Sequence, residues 1–278
     1  MPRTADIQKL SHQFLPTDAV LTNWEGLEPY FKTLLAQDLD SVATLEKWLQ
    51  NLSELEAFIS EDACWRQIKM TCDTTDKSLE ESFNFFCMEI QPKMQPYADA
   101  LNKKLIACPY TAQLNQSAYF TYLRSVKKSI ELFREENIPI QAELSVLQQQ
   151  YGTIAGKMTI QFKEQEYTLQ QAAQFLESPD RAIREEVYLK IQERRLQDQT
   201  SMHDLFSSLI QKRNQVAINA GFANYRDYKF QELGRFDYAK EDCYQFHEAI
   251  KLHVLPLIDK IYARKKKKLG LTTLKPWD

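Results

Sequence analysis

Glycine is scarce in this sequence. Six of the 278 residues are glycine, which is about 2%, whereas globular proteins average ~7%. Sandwiches of β-strands and nucleotide-binding folds need glycine for tight turns and for close approach of the backbone to a ligand. The shortage therefore argues against both classes. Leucine, glutamine, glutamate and lysine are abundant instead, and these residues favour α-helix.

The sequence also lacks long apolar runs and an excess of basic charge. No run approaches the roughly 18 apolar residues of a transmembrane helix, and residues 1–6 lack the basic and apolar regions of a secretory signal. The net charge is −3, whereas a general nucleic-acid-binding protein is normally basic. We therefore expect neither a nucleic-acid nor a membrane partner.

Cysteine and histidine are both few. The five cysteines include no C-x-x-C pair, which predicts free thiols in a reducing compartment, the cytoplasm. His247 and Glu248 begin the zinc motif H-E-x-x-H, but Lys251 stands where the second histidine should be. His253 lies about 120° further around a straight helix, so it cannot share an ion with His247. We predict no metal ligand within the chain.

Motifs that carry catalysis are absent too. The sequence contains no G-x-S-x-G, no G-x-G-x-x-G and no G-x-x-x-x-G-K, so we predict no catalytic residue in it. Two charged clusters have plain structural interpretations. Residues 265–268, four lysines, fit a solvated helix end, and residues 73–76, D-T-T-D, fit a turn between helices.

Apolar residues recur at steps of three and four along most of the chain, which indicates amphipathic helices. Capping patterns predict helix starts at Ser78, Thr168 and Ser178, and Gly221 is expected to end a helix. Proline within a helical pattern predicts a kink or a break, here at Pro92 and Pro96. The remaining predicted helices cover residues 42–59, 119–133, 139–147 with closure near Gly152, 179–220 in one piece, and 239–268 with a bend at Pro256.

One segment has strand periodicity. Residues 158–162 alternate apolar and polar side chains, a polar connection follows, and residues 166–169 form a second short strand pattern. The fold class we predict is mainly α, with long packed helices in two lobes and one small β-hairpin at about 158–169. We divide the chain into residues 1–112, 113–198 and 199–278.

Tyrosine, arginine and asparagine are concentrated in residues 221–238. Tyrosine and arginine combine broad contact surface with directional donors, so they can line a groove for a peptide. The alternative is an amphipathic helix that buries its aromatic residues and solvates its arginines. The candidate groove residues are Asn224, Tyr225, Tyr228 and Arg235.

Several segments, taken in their order and spacing, resemble the oligoendopeptidase F family, which is grouped with the thimet-oligopeptidase-like zinc metallopeptidases. The most specific lie between residues 209 and 238. Similar sequences often have a helix-capping hydroxyl where this chain has Ala239, so Asp237 is expected to cap that helix. The segments that carry the resemblance are residues 65–66, 73–76, 101–104, 158–169, 209–214, 220–228, 234–238, 246–250 and 274–278.

The resemblance implies that the chain corresponds to the N-terminal half of such a peptidase. Family members carry H-E-x-x-H and a further glutamate ligand beyond the segment that resembles residues 274–278. Residues 1–112 would then be an N-terminal helical lobe, residues 113–198 a helical region with the hairpin, and residues 199–278 the start of the peptidase domain.

The function implied by the resemblance is hydrolysis of short peptides by a zinc metallo-endopeptidase. The complete protein would bind Zn²⁺ through two histidines and a glutamate, while a second glutamate would deprotonate a zinc-bound water. This chain would supply one wall of the substrate channel and, by itself, be inactive and expose apolar surface. Its expected partners are short peptides and the missing C-terminal half.

Two other functions are open at this point. One is a non-enzymatic helical module that binds peptides or a partner protein without cleaving them. The other, disfavoured by the acidic composition, is binding to nucleic acid or a membrane surface through the lysines of residues 265–268.

Overall fold

The computed structural model describes residues 12–278. In this part of the chain most residues are helical, and the one sheet is a two-stranded antiparallel hairpin. The predicted fold class, mainly α with one small hairpin, is confirmed. The chain divides into two compact units, which we describe separately. The first comprises residues up to 148 together with 212–228, and the second comprises 149–211 together with 229–278.

The first unit is built on a long central helix. Its helix α2 carries the predicted apolar stripe, buried from Leu45 to Ile59, and continues beyond the predicted end to Cys72. Trp48 is fully buried and its indole nitrogen donates to the Leu34 carbonyl over 2.9 Å. The helices of this unit are α1 (Trp24–Ala36), α2 (Val42–Cys72), α3 (Lys77–Phe85), α4 (Gln91–Ala107), α5 (Gln116–Leu132) and α6 (Asn137–Gly156), the last of which continues into the second unit.

Aspartates rather than serines cap two of the helices. The backbone and hydroxyl of Ser78 both donate to the Asp76 carboxylate, over 2.8 and 2.7 Å, and α3 starts at Lys77. The predicted capping box at Ser78 is therefore wrong. The predicted start at Ser178 is wrong for the same reason, because Asp180 accepts from the Ala182 N–H over 2.9 Å. A carboxylate at a helix start makes a charge-assisted bond and meets the positive end of the helix dipole.

Proline does not break the long helices. Pro92 follows a π-helical turn at Phe86–Ile90, and Pro256 stands in the same register after a second π-helical turn at Ile250–Val254. A proline lacks its N–H and crowds the carbonyl four residues before it. In both helices that carbonyl lies in the wider π turn, so the helical rod continues. Of the predicted kink or break at Pro92 and Pro96, a break does not occur, because the chain stays helical through both prolines.

Helix α6 is longer than predicted at both ends. It begins at Asn137 rather than Pro139 and passes Gly152 to end at Gly156. Asn137 is buried, and its amide nitrogen donates to the Val216 carbonyl over 3.0 Å. Its amide oxygen accepts from Asn219 over 2.8 Å. This polar contact within the first unit accounts for the early helix start, which the apolar pattern does not show.

The second unit contains the hairpin. Strands β1 (Thr159–Phe162) and β2 (Gln165–Thr168) pair antiparallel, with Thr159 opposite Thr168. Lys163 and Glu164 form the two-residue turn with φ of 49° and 61°, which matches the right-handed twist of the strands. The predicted capping box at Thr168 is confirmed at the start of α7 (Leu169–Ala172). The hairpin packs on α8 (Arg181–Gln197) through a small core of Ile160, Phe162, Ala172, Val187 and Ile191.

The predicted single helix over 179–220 is two helices. Helix α8 ends at Gln197 and α9 (Gln199–Asn219) follows, because Asp198, whose ψ is 10°, interrupts the helical path. Arg194 binds the Asp198 carboxylate from one turn earlier. The apolar period of α8 and α9 is nearly continuous, so it gives no signal of this interruption.

The remaining helices are α10 (Tyr225–Glu232), α11 (Lys240–Ala249) and α12 (Leu255–Lys268). Helix α11 starts after Ala239, and the backbone N–H of Ala239 donates to the Asp242 carboxylate over 2.8 Å. The predicted cap at Asp237 is therefore wrong. Asp242, at the third helical position, accepts the N–H of the N-cap residue, which is the half of a capping box that needs no hydroxyl at Ala239.

Candidate functional site

The candidate groove residues lie around α10, which follows a tight helix end. Gly221 has φ of 86°, a conformation that favours glycine. Its N–H donates to the Ile218 carbonyl and the N–H of Phe222 donates to the Ala217 carbonyl, both over 2.9 Å. This pair of bonds is the Schellman motif. The predicted end of α9 at Gly221 is confirmed.

Asn224 has a local structural role. Its side-chain oxygen accepts from the Asp227 backbone over 3.0 Å, and its amide nitrogen donates to the Asp227 carboxylate over 2.9 Å. These contacts cap the first turn of α10. The Asn224 side chain therefore fixes the direction in which α10 leaves the junction.

The two candidate tyrosines differ in exposure. Tyr228 is only 3% exposed, and its ring meets Phe222 edge-on at a centroid distance of 5.7 Å. Tyr225 is half-buried, stacks on Tyr228 at 6.0 Å, and lies under the Arg213 guanidinium at 5.9 Å. The structure thus brings Asn224, Tyr225 and Tyr228 together within the first unit. Tyr228 is positioned to support a surface, and Tyr225 to contribute to one.

Arg235 belongs to the second unit. A second Schellman motif ends α10, with Gly234 at φ of 66° and the Arg235 N–H donating to the Phe230 carbonyl over 3.0 Å. The Arg235 guanidinium is exposed and lies 5.3 Å from the centre of the Phe230 ring. The Phe230 ring covers one face of the planar Arg235 guanidinium. The opposite face of the guanidinium is therefore open to further contacts.

The described residues do not fit a zinc site. His247 and His253 are both exposed, and residues 12–278 contain no group of three or more histidine, cysteine, aspartate or glutamate side chains that could hold a metal ion. We therefore derive no catalytic step through a metal from these residues. All five cysteines carry free thiols.

An ionic contact between Arg181 and the buried Asp278 carboxylate was not predicted from the sequence. Asp278 has no exposed side-chain surface, and Arg181 binds its carboxylate with two nitrogens, over 2.8 and 3.2 Å. Arg184 donates to the Trp277 carbonyl over 2.7 Å, and the Trp277 ring packs on Tyr188 at 5.4 Å. We call these five residues the terminal clamp. The paired arginines three apart on α8 are the only sequence signal for it that we find.

The structure also has solvent-exposed apolar side chains, which the family resemblance implied without indicating where on the chain they lie. Helices α11 and α12 and the π turn between them contain no buried residue. Isolated exposed apolar residues are ordinary, whereas a contiguous patch marks a contact surface. We call this the C-terminal apolar surface; its large residues are Tyr244, Phe246, Ile250, Leu252, Val254, Leu255, Leu257, Ile261 and Tyr262.

Helices of the described region do not combine the length and apolar character needed to cross a membrane.

Comparison with protein families identifies the class. The Peptidase M3 N-terminal domain matches residues 14–133, and Peptidase family M3 matches residues 174–278. The two matches together cover most of the sequence. The chain belongs to peptidase family M3. No curated protein is significantly similar to it in sequence.

Solved structures with the same fold have peptidase names. A protein assigned as oligoendopeptidase F from Bacillus anthracis strain Ames superposes with a TM-score of 0.87 at 19% identity, over 96% of this chain and 50% of that one. PZ peptidase A with a bound inhibitor gives 0.87 at 22% identity, over 92% and 46%. Oligoendopeptidase F from Enterococcus faecium gives 0.70 at 12%, over 92% and 54%. The chain spans about half the length of these proteins.

Proposed function

We propose that this chain is the N-terminal portion of a zinc metallo-endopeptidase that hydrolyses short peptides. The observation that carries the proposal is the pair of peptidase family M3 matches at both ends of a chain that has half the length of its structural relatives. In this proposal the catalytic and zinc-binding residues lie outside the chain, so the chain by itself does not cleave peptides.

The chain's own contribution, as we propose it, is one wall of the substrate channel. Tyr225, in the first unit, offers an aromatic face, and Arg235, in the second, an exposed cation. Each by itself suits contact with an extended peptide. Asn224 and Tyr228 are assigned to hold α10 in place, because Asn224 caps the helix and Tyr228 is its buried side chain.

The partner is the polypeptide that carries the remaining half of the peptidase. The C-terminal apolar surface supports this proposal, since nine large apolar side chains on one helical segment reach solvent. Such a surface is costly to leave in water and is typical of an interface with another part of the same fold. Free cysteines are in keeping with work in the cytoplasm.

The test is purification of the chain with whatever accompanies it. The chain is tagged in its own cells, isolated under native conditions, and assayed on quenched fluorescent peptides with a folded protein as the size control. We expect cleavage of short peptides that a zinc chelator abolishes and added Zn²⁺ restores. The recombinant 278-residue chain is assayed in parallel and is expected to be inactive.

Two outcomes would overturn the proposal. Zinc-dependent cleavage by the recombinant chain alone would show that its own residues form a catalytic site. Native material without peptidase activity, whatever accompanies it, would favour the second candidate function, a helical module that binds peptides or a partner protein without cleaving them. The C-terminal apolar surface is the observation that keeps this second candidate in view.

A further inference from the structure

One arginine of the first unit carries its charge without an anionic partner. Arg213, on α9, is half-buried, and within residues 12–278 its guanidinium makes no ion pair and no hydrogen bond. It lies instead over the Tyr225 ring, 5.9 Å from the ring centre. A guanidinium is always charged, and its partial removal from water without compensating hydrogen bonds is unfavourable. Arg213 therefore has donors left for an anion.

Other half-buried arginines of this chain do have such partners. Each of the five donates to a carboxylate or carbonyl oxygen; they are Arg66, Arg134, Arg181, Arg184 and Arg194. Arg181 shows the two-bond arrangement, since it holds the Asp278 carboxylate over 2.8 and 3.2 Å. A carboxylate is thus an anion that a half-buried guanidinium of this protein already binds.

Two carboxylates of the same unit are bound to other residues. Glu143, on α6, binds Lys212, the residue before Arg213. Asp227, on α10, accepts from the Arg226 guanidinium and from the Asn224 amide, each over 2.9 Å. A carboxylate for Arg213 therefore has to come from outside the described residues.

A stack of aromatic rings holds the Arg213 guanidinium. Tyr225 stacks on Tyr228 at a centroid distance of 6.0 Å, and the buried Tyr228 meets Phe222 edge-on at 5.7 Å. A cation over an aromatic face is attracted by the ring, and this contact leaves the N–H donors at the edge of the planar guanidinium free. Those donors match the two oxygens of a carboxylate.

We propose that Arg213 binds a carboxylate of the peptide substrate and makes the peptidase prefer peptides that carry one at that position. This inference rests on the proposed function, in which Tyr225 contributes to the wall of the substrate channel. A short peptide supplies the carboxylate either from its C-terminus or from an acidic side chain. Both sources present the same planar anion with two oxygens.

The first experiment measures peptide binding to the recombinant 278-residue chain, without turnover. The probes are acetylated trialanine with a free or an amidated C-terminus, and an acetylated, amidated alanine tripeptide with a central glutamate or glutamine. NMR titration follows the side-chain Nε–H of Arg213 and the ring of Tyr225. We expect a carboxylate to strengthen binding at least about fivefold, because a two-bond ion pair is lost in the uncharged peptide. The pair of peptides with the larger ratio identifies the source of the carboxylate.

Three variants decide whether Arg213 is responsible. Arg213→Gln is expected to remove the preference for a carboxylate, and Arg213→Lys, which keeps the charge but not the planar fork, should retain only part of it. Lys212→Gln removes the adjacent cation, which binds Glu143, and should leave the preference within about twofold of wild type. Circular dichroism checks the folding of each variant. Equal affinity for charged and uncharged peptides, or a preference that survives Arg213→Gln, would overturn the proposal.

Kinetics of the native assembly separate this proposal from the proposed function. Arg213→Gln should raise KM for a fluorescent peptide with the preferred carboxylate and leave KM for its uncharged counterpart unchanged. Absence of any zinc-dependent cleavage would contradict the peptidase function. Cleavage of both peptides with the same kcat/KM, in wild type and variant alike, would contradict only the role of Arg213.

Discussion

Two tyrosines three residues apart on one helix are expected to respond differently to truncation. Tyr228 is buried in the first unit, so Tyr228→Ala should lower the free energy of unfolding by about 3–5 kcal/mol, as for other large aromatic side chains. Tyr225 is half-buried, and Tyr225→Ala should lower it much less.

The measurement is thermal unfolding of each variant beside peptide turnover by the native assembly. Tyr225→Ala is expected to reduce turnover more than stability, with Tyr225→Phe as the control that keeps the ring. If Tyr225→Ala changes stability alone, Tyr225 belongs to the core and not to the channel wall.

The terminal clamp predicts an acid-sensitive contribution to stability. Hydrogen bonds from Arg181 lower the pKa of Asp278 in the folded protein. A group whose pKa is lowered by folding stabilises the native state above its unfolded pKa, about 3.9 for aspartate, and the contribution is lost as the pH falls through the folded pKa. Asp278→Asn should therefore melt a few degrees lower at neutral pH.

Thermal melts from about pH 2 to about pH 8, a range that includes the unfolded pKa of aspartate, check this prediction. The difference between wild type and Asp278→Asn should shrink as the pH falls below about 4. Asp259→Asn, which alters an exposed acid of the same unit without clamp contacts, is the matched control. A constant difference at all pH values would mean that Asp278 acts by packing alone.

Helix ends show where sequence reasoning works at the scale of one element. The apolar stripe of α2, the hairpin and the glycine end of α9 were all predictable, because each depends on periodicity or on one residue with a special backbone conformation. The starts at Ser78 and Ser178 were not, because an aspartate two residues before or after the serine accepts a first-turn N–H and becomes the N-cap instead. The choice between two adjacent caps depends on side-chain geometry that the residue pattern does not contain.

That competition can be measured at α3. Asp76→Ala removes the carboxylate that accepts from Ser78, so it should lower the melting temperature by a few degrees, as the loss of an N-cap usually does. Ser78→Ala should have a clearly smaller effect, because its hydroxyl only donates to that carboxylate. If Ser78→Ala lowered the melting temperature more than Asp76→Ala, Ser78 would be the N-cap after all.

The hairpin turn offers a stabilising change. Lys163 and Glu164 hold positive φ angles, which cost a residue with a side chain about 1–2 kcal/mol each. Replacing both with the Asn-Gly pair preferred in such turns should raise the free energy of unfolding by about 0.5–1 kcal/mol. Chemical denaturation measures the change, and Gln165→Gly, which places glycine in β2 itself, should destabilise. No gain from Asn-Gly would mean that the turn is not strained.

At the scale of the whole molecule, composition and periodicity predicted the mainly helical fold, and order and spacing of segments predicted the family. The candidate site was only partly accessible from sequence. The cluster at residues 221–228 does gather in one unit. The burial of Tyr228 and the capping of α10 by Asn224 became clear only from the contacts with Phe222 and with Asp227. The terminal clamp joins Arg181 to Asp278, which lie 97 positions apart in the chain. It has no local sequence pattern.

The C-terminal apolar surface is expected to decide how the isolated chain associates. Nine large apolar side chains in water should drive self-association of the isolated chain through this surface. The double variant Leu252→Glu, Leu257→Glu places charge in its middle and should shift the chain toward monomer in sedimentation velocity. Leu196→Glu, which alters an equally exposed leucine on α8, is the control and should leave association unchanged.

The same double variant should also fail to recover the partner polypeptide in native purification. If it stays associated and still recovers the partner, the contact surface lies elsewhere on the molecule.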